Sequence, residues 1–234
     1  MEHITHLFSI NSTFFTFLNY PMSYIEFVGT IFTIWCVWLT TKAKVLSWPV
    51  GIIGTVLYLI LFYQIRLYSD MFEQFYFLVT GFIGWWIWLH PKTADQANKD
   101  KELKISFSSV KENVWNGIII VLGTGVMTYI VIHLNVWLPQ YFPDPASYPI
   151  FDTLTTVMSF MAQWLLMRKK LENWILWIIV DAIDIWLYWV KGVKFISLEY
   201  VLFFFLASWG LIKWINEQKA ERVSHDIKEA ELQI

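Results

Sequence analysis

The chain has 234 residues, of which 57% are hydrophobic, 19% aromatic and 15% charged. A soluble domain is nearer one quarter charged, so this composition, with a mean hydropathy of +0.49, excludes an ordinary soluble protein and points to an all-α integral membrane protein. The net charge of −2 offers no basic surface for a nucleic-acid partner.

Residues 4–20 (ITHLFSINSTFFTFLNY) carry several polar side chains and no Lys or Arg. They are expected to form an interfacial lead-in, with Pro21 opening the helical bundle. The N-terminus lacks the basic n-region and small-residue cleavage site of a signal peptide, so the whole chain is expected to remain. Apolar runs follow at about 23–41, 45–65, 71–89, 115–138, 150–167, 172–190 and 195–215, long enough for seven transmembrane helices. Cys36, the one cysteine, has no intrachain partner and reads as a packing residue.

The basic residues alternate from one connection to the next. Lys42, Lys44, Lys92, Lys99, Lys101, Lys104, Lys111, Arg168, Lys169, Lys170, Lys213, Lys219, Arg222 and Lys228 fall on one side, and Arg66, Lys191 and Lys194 on the other. Fourteen against three predicts an outside N-terminus and a cytoplasmic C-terminus.

Shifting the sequence by 126 residues lays 26–88 on 152–214 without a gap. Trp38 meets Trp164, Lys44 meets Lys170, Trp48 meets Trp174, Glu73 meets Glu199, Gly84 meets Gly210 and Trp88 meets Trp214. The coincidences predict two three-helix repeats (23–89 and 150–216). Residues 90–149 hold a cytoplasmic loop, a linker helix and an outer loop, residues 1–22 the interfacial segment and residues 217–234 a charged tail. One intervening span makes the repeats parallel, related by an axis along the membrane normal, with substrate expected between them.

The sixth helix is unusual in carrying two aspartates inside an apolar run, WILWIIVDAIDIWLY (174–188). A central aspartate costs roughly 2.5–3.5 kcal/mol to insert, so the pair calls for a polar cavity. Trp174, Trp177, Asp181, Asp184 and Tyr188 share one helical face. The matching face of the second helix holds Trp48, Gly51, Thr55, Tyr58 and Phe62, so one repeat offers carboxylates where the other offers space. Gln74 and Trp85 in the third helix and Gln163 in the fifth complete the candidate lining. Glu73 and Glu199 read as end-of-span acids, paired with Arg66 or Lys194 in preference to the alternative that they draw a cation toward an outer vestibule. No metal-ligand spacing, nucleophile elbow or Gly-rich phosphate loop is present, so no cofactor is expected. An intramembrane enzyme would rest on Asp181 and Asp184 alone.

The run WPVGIIGTVLYLILFYQIRLYSDMFEQFYFLVTGFIGWWIW (48–88), with its Tyr68, Asp70, Met71, Gln74, Tyr76, Gly84, Trp85 and Trp88, together with W-x-x-W-x-x-x-D at Trp174, Trp177 and Asp181, resembles the PnuC family of bacterial nicotinamide riboside transporters. The resemblance spans about residues 24–215. It implies a three-plus-one-plus-three arrangement similar to that of SWEET sugar transporters, in the bacterial inner membrane. It also implies facilitated diffusion of nicotinamide riboside, sustained by a cytoplasmic riboside kinase with no assumed contact. Relatives of similar sequence carry thiamine or riboflavin, and the residues alone leave those vitamins, a non-transporting receptor and homo-oligomerisation open. An acid stands at Asp181 where the family often carries an amide.

Overall fold

A computed structural model describes residues 9–10, 12–17, 20–64, 68–92, 102–142, 145–192 and 194–232. Arg66, Lys99, Lys101 and parts of the predicted lead-in lie outside the described residues.

Seven helices are present among the described residues: α1 Tyr24–Thr41, α2 Ser47–Gln64, α3 Tyr68–Leu89, α4 Val110–Trp137, α5 Pro149–Met167, α6 Glu172–Val190 and α7 Lys194–Leu232. Six are long and apolar enough to cross a membrane, α3 being the exception. Its first two turns spend helical positions on Asp70, Glu73 and Gln74, which lowers its hydropathy. The side chains of α4 are nowhere buried, and its exposed Val121, Leu122 and Val126 form the outward apolar surface expected where lipid is the solvent.

The expectation of a purely helical chain requires one correction. Strands β1 Thr13–Phe17 and β2 Tyr20–Ser23 pair as an antiparallel hairpin, rich in the Thr and aromatic residues that favour strands. Pro21 lies in β2, and the bundle begins at Tyr24, where the hydroxyl of N-cap Ser23 accepts from the Glu26 amide at 3.3 Å. At the other end of the chain, α7 does not stop near residue 215 but continues through the charged sequence to Leu232.

Consecutive helices α1–α2–α3 and α5–α6–α7 pack in order, α3 lies on α5 and α1 on α7, while α4 rests on α5. The turns after α1 and α5 match bond for bond at the 126-residue offset. Ala43 and Lys169 both adopt left-handed φ, 50° and 52°. Ala43 N donates to Thr40 O and Lys169 N to Leu166 O, each at 2.9 Å.

The buried core sits at this end of the bundle. Trp48 packs edge-on to Trp88 at 5.3 Å and Trp174 edge-on to Trp214 at 5.5 Å. Gly84 and Gly210 make room for them: an added Cβ would lie 2.2 Å from the Trp48 ring and 2.7 Å from the Trp174 ring. The two halves then exchange hydrogen bonds. Trp88 Nε1 donates to Leu166 O at 3.1 Å, and Trp214 Nε1 to Thr40 O at 2.9 Å, positions that again differ by 126. Residues 103–106 strap this end, with Ile105 buried in the tryptophan cluster and Ser106 bonded to the backbone of Lys169 and Leu171. Burial pushes the Lys169 ammonium below its usual range, opposed by Glu102 at 3.9 Å.

Candidate functional site

Between the two sets of three helices lies a cavity of about 540 Å³, within the range of small-molecule sites. It runs from the hairpin end, where Tyr20, Glu26, Asp70 and Glu199 line it, to the tryptophan end, where Thr40, Ser47, Trp48, Leu166 and Trp174 do. Glu26, Asp70, Glu73, Asp181 and Glu199 give it five carboxylates, and no Lys, Arg or His is among the described lining residues. Such a wall favours a cation over an anion.

Helix α6 presents Trp174, Trp177, Asp181 and Tyr188 to the cavity as its periodicity predicts. Asp181 is 3% exposed. Trp177 and Phe77 face one another across the cavity wall at 6.2 Å, and Tyr188 stacks on Tyr200 at 5.4 Å. Gln163 Nε2 donates to Thr80 Oγ1 at 3.4 Å, leaving its carbonyl oxygen able to accept. Gln74 lines the same cavity. Toward the hairpin end, Tyr58 O–H donates to Glu199 Oε1 at 3.1 Å, and its oxygen shares a 2.8 Å hydrogen bond with Thr30.

The model of the family described as the nicotinamide mononucleotide transporter matches residues 23–216. The chain belongs to this family. It is 30% identical, over 88% of its length and 92% of the relative's, to the nicotinamide riboside transporter PnuC of Escherichia coli (strain K12). It is also 22% identical, over 88% and 91%, to the riboflavin/roseoflavin transporter RibM of Streptomyces davaonensis. A crystal structure of the vitamin B3 transporter PnuC superposes with a TM-score of 0.66 at 26% identity, covering 85% of this chain and 83% of that one. PnuC-family membership makes the chain a multi-pass membrane transporter, and Asp181 and Asp184 are not the acid–base pair of an enzyme.

Seven of the nine residues predicted to form the PnuC-type site line the cavity: Trp174, Trp177, Asp181, Tyr188, Gln74, Tyr58 and Gln163. Asp184 and Trp85 do not. Asp184, one turn beyond Asp181, is 5% exposed and turned toward Thr155, Asp152 and Lys191 at the α5–α6 contact. Trp85 packs against the Trp48–Trp88 core, a full turn past the Gly81 that still lines the cavity.

Glu73 and Glu199 need the opposite correction. Both line the cavity, and Glu199 takes the Tyr58 hydroxyl. Among the described residues neither forms a salt bridge, with Lys194 or any other cation, while Arg66 lies outside the described residues; Lys191 pairs with Asp152 at 2.5 and 2.7 Å. Their repetition at positions 73 and 199 was the available sequence signal, since it puts both acids on equivalent faces of α3 and α7. Glu26, Asp70 and Phe77 are further lining residues to add, Phe77 lying one turn beyond Gln74 on α3.

Proposed function

We propose that the chain carries nicotinamide riboside across the bacterial cytoplasmic membrane, with the cavity as its site. The observation that carries this reading is the lining of five carboxylates with no Lys, Arg or His among the described lining residues, beside flat aromatic faces. The riboside is a flat pyridinium cation with a carboxamide and a neutral ribose. Trp177 and Phe77 are suited to its ring, at roughly 0.5–2 kcal/mol for a cation on an aromatic face. Asp181 offsets the ring charge, and Gln74 and Gln163 pair with the carboxamide or the hydroxyls. Trp174, Tyr188 and Tyr58 complete the wall, while Asp184 shapes its field from the α5–α6 contact.

The mononucleotide of the family's description fits less well. Its phosphate carries about −1.5 to −2 charges and seeks Arg, Lys or clustered backbone amides, whereas this wall would repel it. Riboflavin, transported by the Streptomyces davaonensis relative, has a neutral ring and gains nothing from the five acids; thiamine, a cation, is the second reading this charge favours.

The same proposal takes the bundle as two parallel three-helix units, 23–89 and 150–216, joined by α4, a three-plus-one-plus-three SWEET-like arrangement of seven spans. The turn, tryptophan and cross-half bonds that repeat at the 126-residue offset support it, as does the lining of one cavity by both units. Lys42, Lys44, Arg168, Lys169, Lys170 and Lys213 gather at the tryptophan end, which supports a cytoplasmic assignment for that end and an outside hairpin. Transport is facilitated diffusion, and a cytoplasmic kinase sustains it by adding the phosphate that this cavity rejects.

Titration of the purified protein with nicotinamide riboside, its mononucleotide, thiamine and riboflavin, read by tryptophan fluorescence, tests the assignment. Saturable binding of the riboside with no binding of the mononucleotide is expected. Tighter binding of riboflavin or thiamine than of the riboside overturns it.

A further inference from the structure

We propose that the seam between α1 and α7 binds the headgroup of an anionic phospholipid through Lys42 and Lys213, in the leaflet at the tryptophan end. The inference does not depend on which vitamin the cavity carries. It starts from a second set of tryptophans at that end, which lie on the surface and not in the core.

Trp38 on α1 and Trp209 on α7 are 37% and 43% exposed, unlike the buried Trp48, Trp88, Trp174 and Trp214. A lysine follows each by four residues, the spacing that puts both side chains on one helical face. The Lys42 ammonium lies 3.3 Å from the centre of the Trp38 ring, and the Lys213 ammonium 5.5 Å from that of Trp209. A neutral ring holds an ammonium in place without cancelling its charge. Among the described residues neither lysine forms a salt bridge, and Glu217, one turn beyond Lys213, lies within the influence of Lys169.

The two pairs belong to one place. Trp214 Nε1 donates to Thr40 O at 2.9 Å, which fixes the register of α1 against α7. Lys213 directly precedes the donor and Lys42 closely follows the acceptor, so the two cations flank one seam. From them, exposed apolar stripes run toward the middle of the bilayer, Ile31, Trp35 and Trp38 on α1 and Leu202, Phe205 and Trp209 on α7. The α1 stripe begins at Val28, about 15 Å from Trp38 at 1.5 Å per residue, which is half the ~30 Å hydrocarbon thickness. Acyl chains of one leaflet therefore have an apolar track to lie on. The phosphate meets two ammoniums at the depth where interfacial tryptophans and snorkelling lysines belong.

The internal repeat explains why this seam is the site and its counterpart is not. The equivalent contact is α3 on α5, with Trp88 bonded to Leu166 O. There Lys42 is replaced by Arg168, which pairs with Glu112 at 3.6 Å, and Trp209 and Lys213 by Ile83 and Ile87. The strap also crosses that seam, with the Leu103 amide donating to Trp88 O at 3.0 Å and the Ser106 amide to Lys169 O at 3.1 Å. One seam is bridged by the chain itself, while the other presents two cations and two indoles to the bilayer.

The intact purified protein in detergent is titrated with phosphatidylglycerol or with phosphatidylcholine of the same acyl chains, and bound lipid is counted by native mass spectrometry. One phosphatidylglycerol is expected to bind more tightly than any phosphatidylcholine. Lys42→Gln with Lys213→Gln should weaken that first phosphatidylglycerol about thirtyfold, the factor two basic residues near a membrane surface supply. Lys42→Arg with Lys213→Arg should retain it, since the charge is kept. Lys44→Gln, at an exposed position of the same end, should leave it unchanged. Each single glutamine variant should show part of the loss, so either serves if the double variant folds poorly. Equal binding of the two lipids overturns the site, as does a loss in Lys44→Gln as large as in the double variant. Complete displacement of the phosphatidylglycerol by inorganic phosphate, with no such effect of chloride at equal ionic strength, assigns the seam to a free anion and overturns the lipid.

Discussion

Asp181 is buried beside aromatic rings in a cavity that no described basic side chain shares, so on the proposed reading a bound cation is what supplies its counter-charge. Asp181→Asn keeps the volume and removes the charge. Riboside affinity is expected to fall roughly tenfold or more, as for loss of a charged partner, while the thermal midpoint holds or rises because an unpaired buried carboxylate is gone. Isothermal titration and thermal unfolding of the purified variant check both halves. Trp177→Ala should weaken binding by a comparable factor, and Glu199→Gln should also weaken it, since Glu199 lines the path next to Tyr58. Trp85→Ala should leave affinity within about twofold and lower stability instead, as expected of a residue packed on the core. The sequence pattern grouped Trp85 with Gln74 because period alone tells which residues share a face; it cannot tell how far along that face the cavity extends.

Helix packing at the tryptophan end depends on two glycines. Gly84→Ala and Gly210→Ala would each drive a methyl into an indole ring. Each is expected to cost about 1–3 kcal/mol by overpacking, read as a lower unfolding midpoint. Gly117→Ala on α4, which meets nothing within 4 Å, should be neutral or slightly stabilising. Trp88→Phe keeps most of the apolar volume and removes the donor to Leu166 O, which should cost about 1 kcal/mol. Because that bond and its partner, Trp214 to Thr40, tie one half of the bundle to the other at the end opposite the hairpin, Trp88→Phe should also speed riboside exchange across a vesicle membrane. An unchanged exchange rate would assign this pair to stability alone.

For the whole molecule, the proposed orientation and the choice of a cationic substrate both rest on the distribution of charge. Reporter fusions at the C-terminus should report a cytoplasmic location, and an external location would reverse the assignment of the hairpin and tryptophan ends. In vesicles lacking the kinase, labelled riboside should equilibrate and not accumulate, because nothing in facilitated diffusion supplies a driving force. Adding the kinase with its nucleotide inside should drive accumulation as phosphorylated product. Concentration of unmodified riboside inside kinase-free vesicles would require coupling to an ion gradient.

Composition, the spacing of apolar runs and the 126-residue repeat were enough to determine an α-helical membrane chain with Trp48, Trp88, Trp174 and Trp214 in equivalent places, because helical period and bilayer thickness act on local sequence. The polar face of 174–188 was equally legible, since two buried acids in an apolar run are costly wherever they lie. Only the tertiary structure decided which polar residues converge. Asp184 shares a helix with Asp181 yet turns toward α5, while Glu73 and Glu199, which resemble ordinary acids at span ends, point into the cavity. That choice depends on how each helix is rotated against its neighbours. The hairpin was hidden for a related reason: a short pair of strands is marginal alone, and β1 and β2 gain support from Phe14 and Phe15 packing on Phe27 and from the Tyr20 bond to Glu26, contacts with the next element that strand propensity does not reveal.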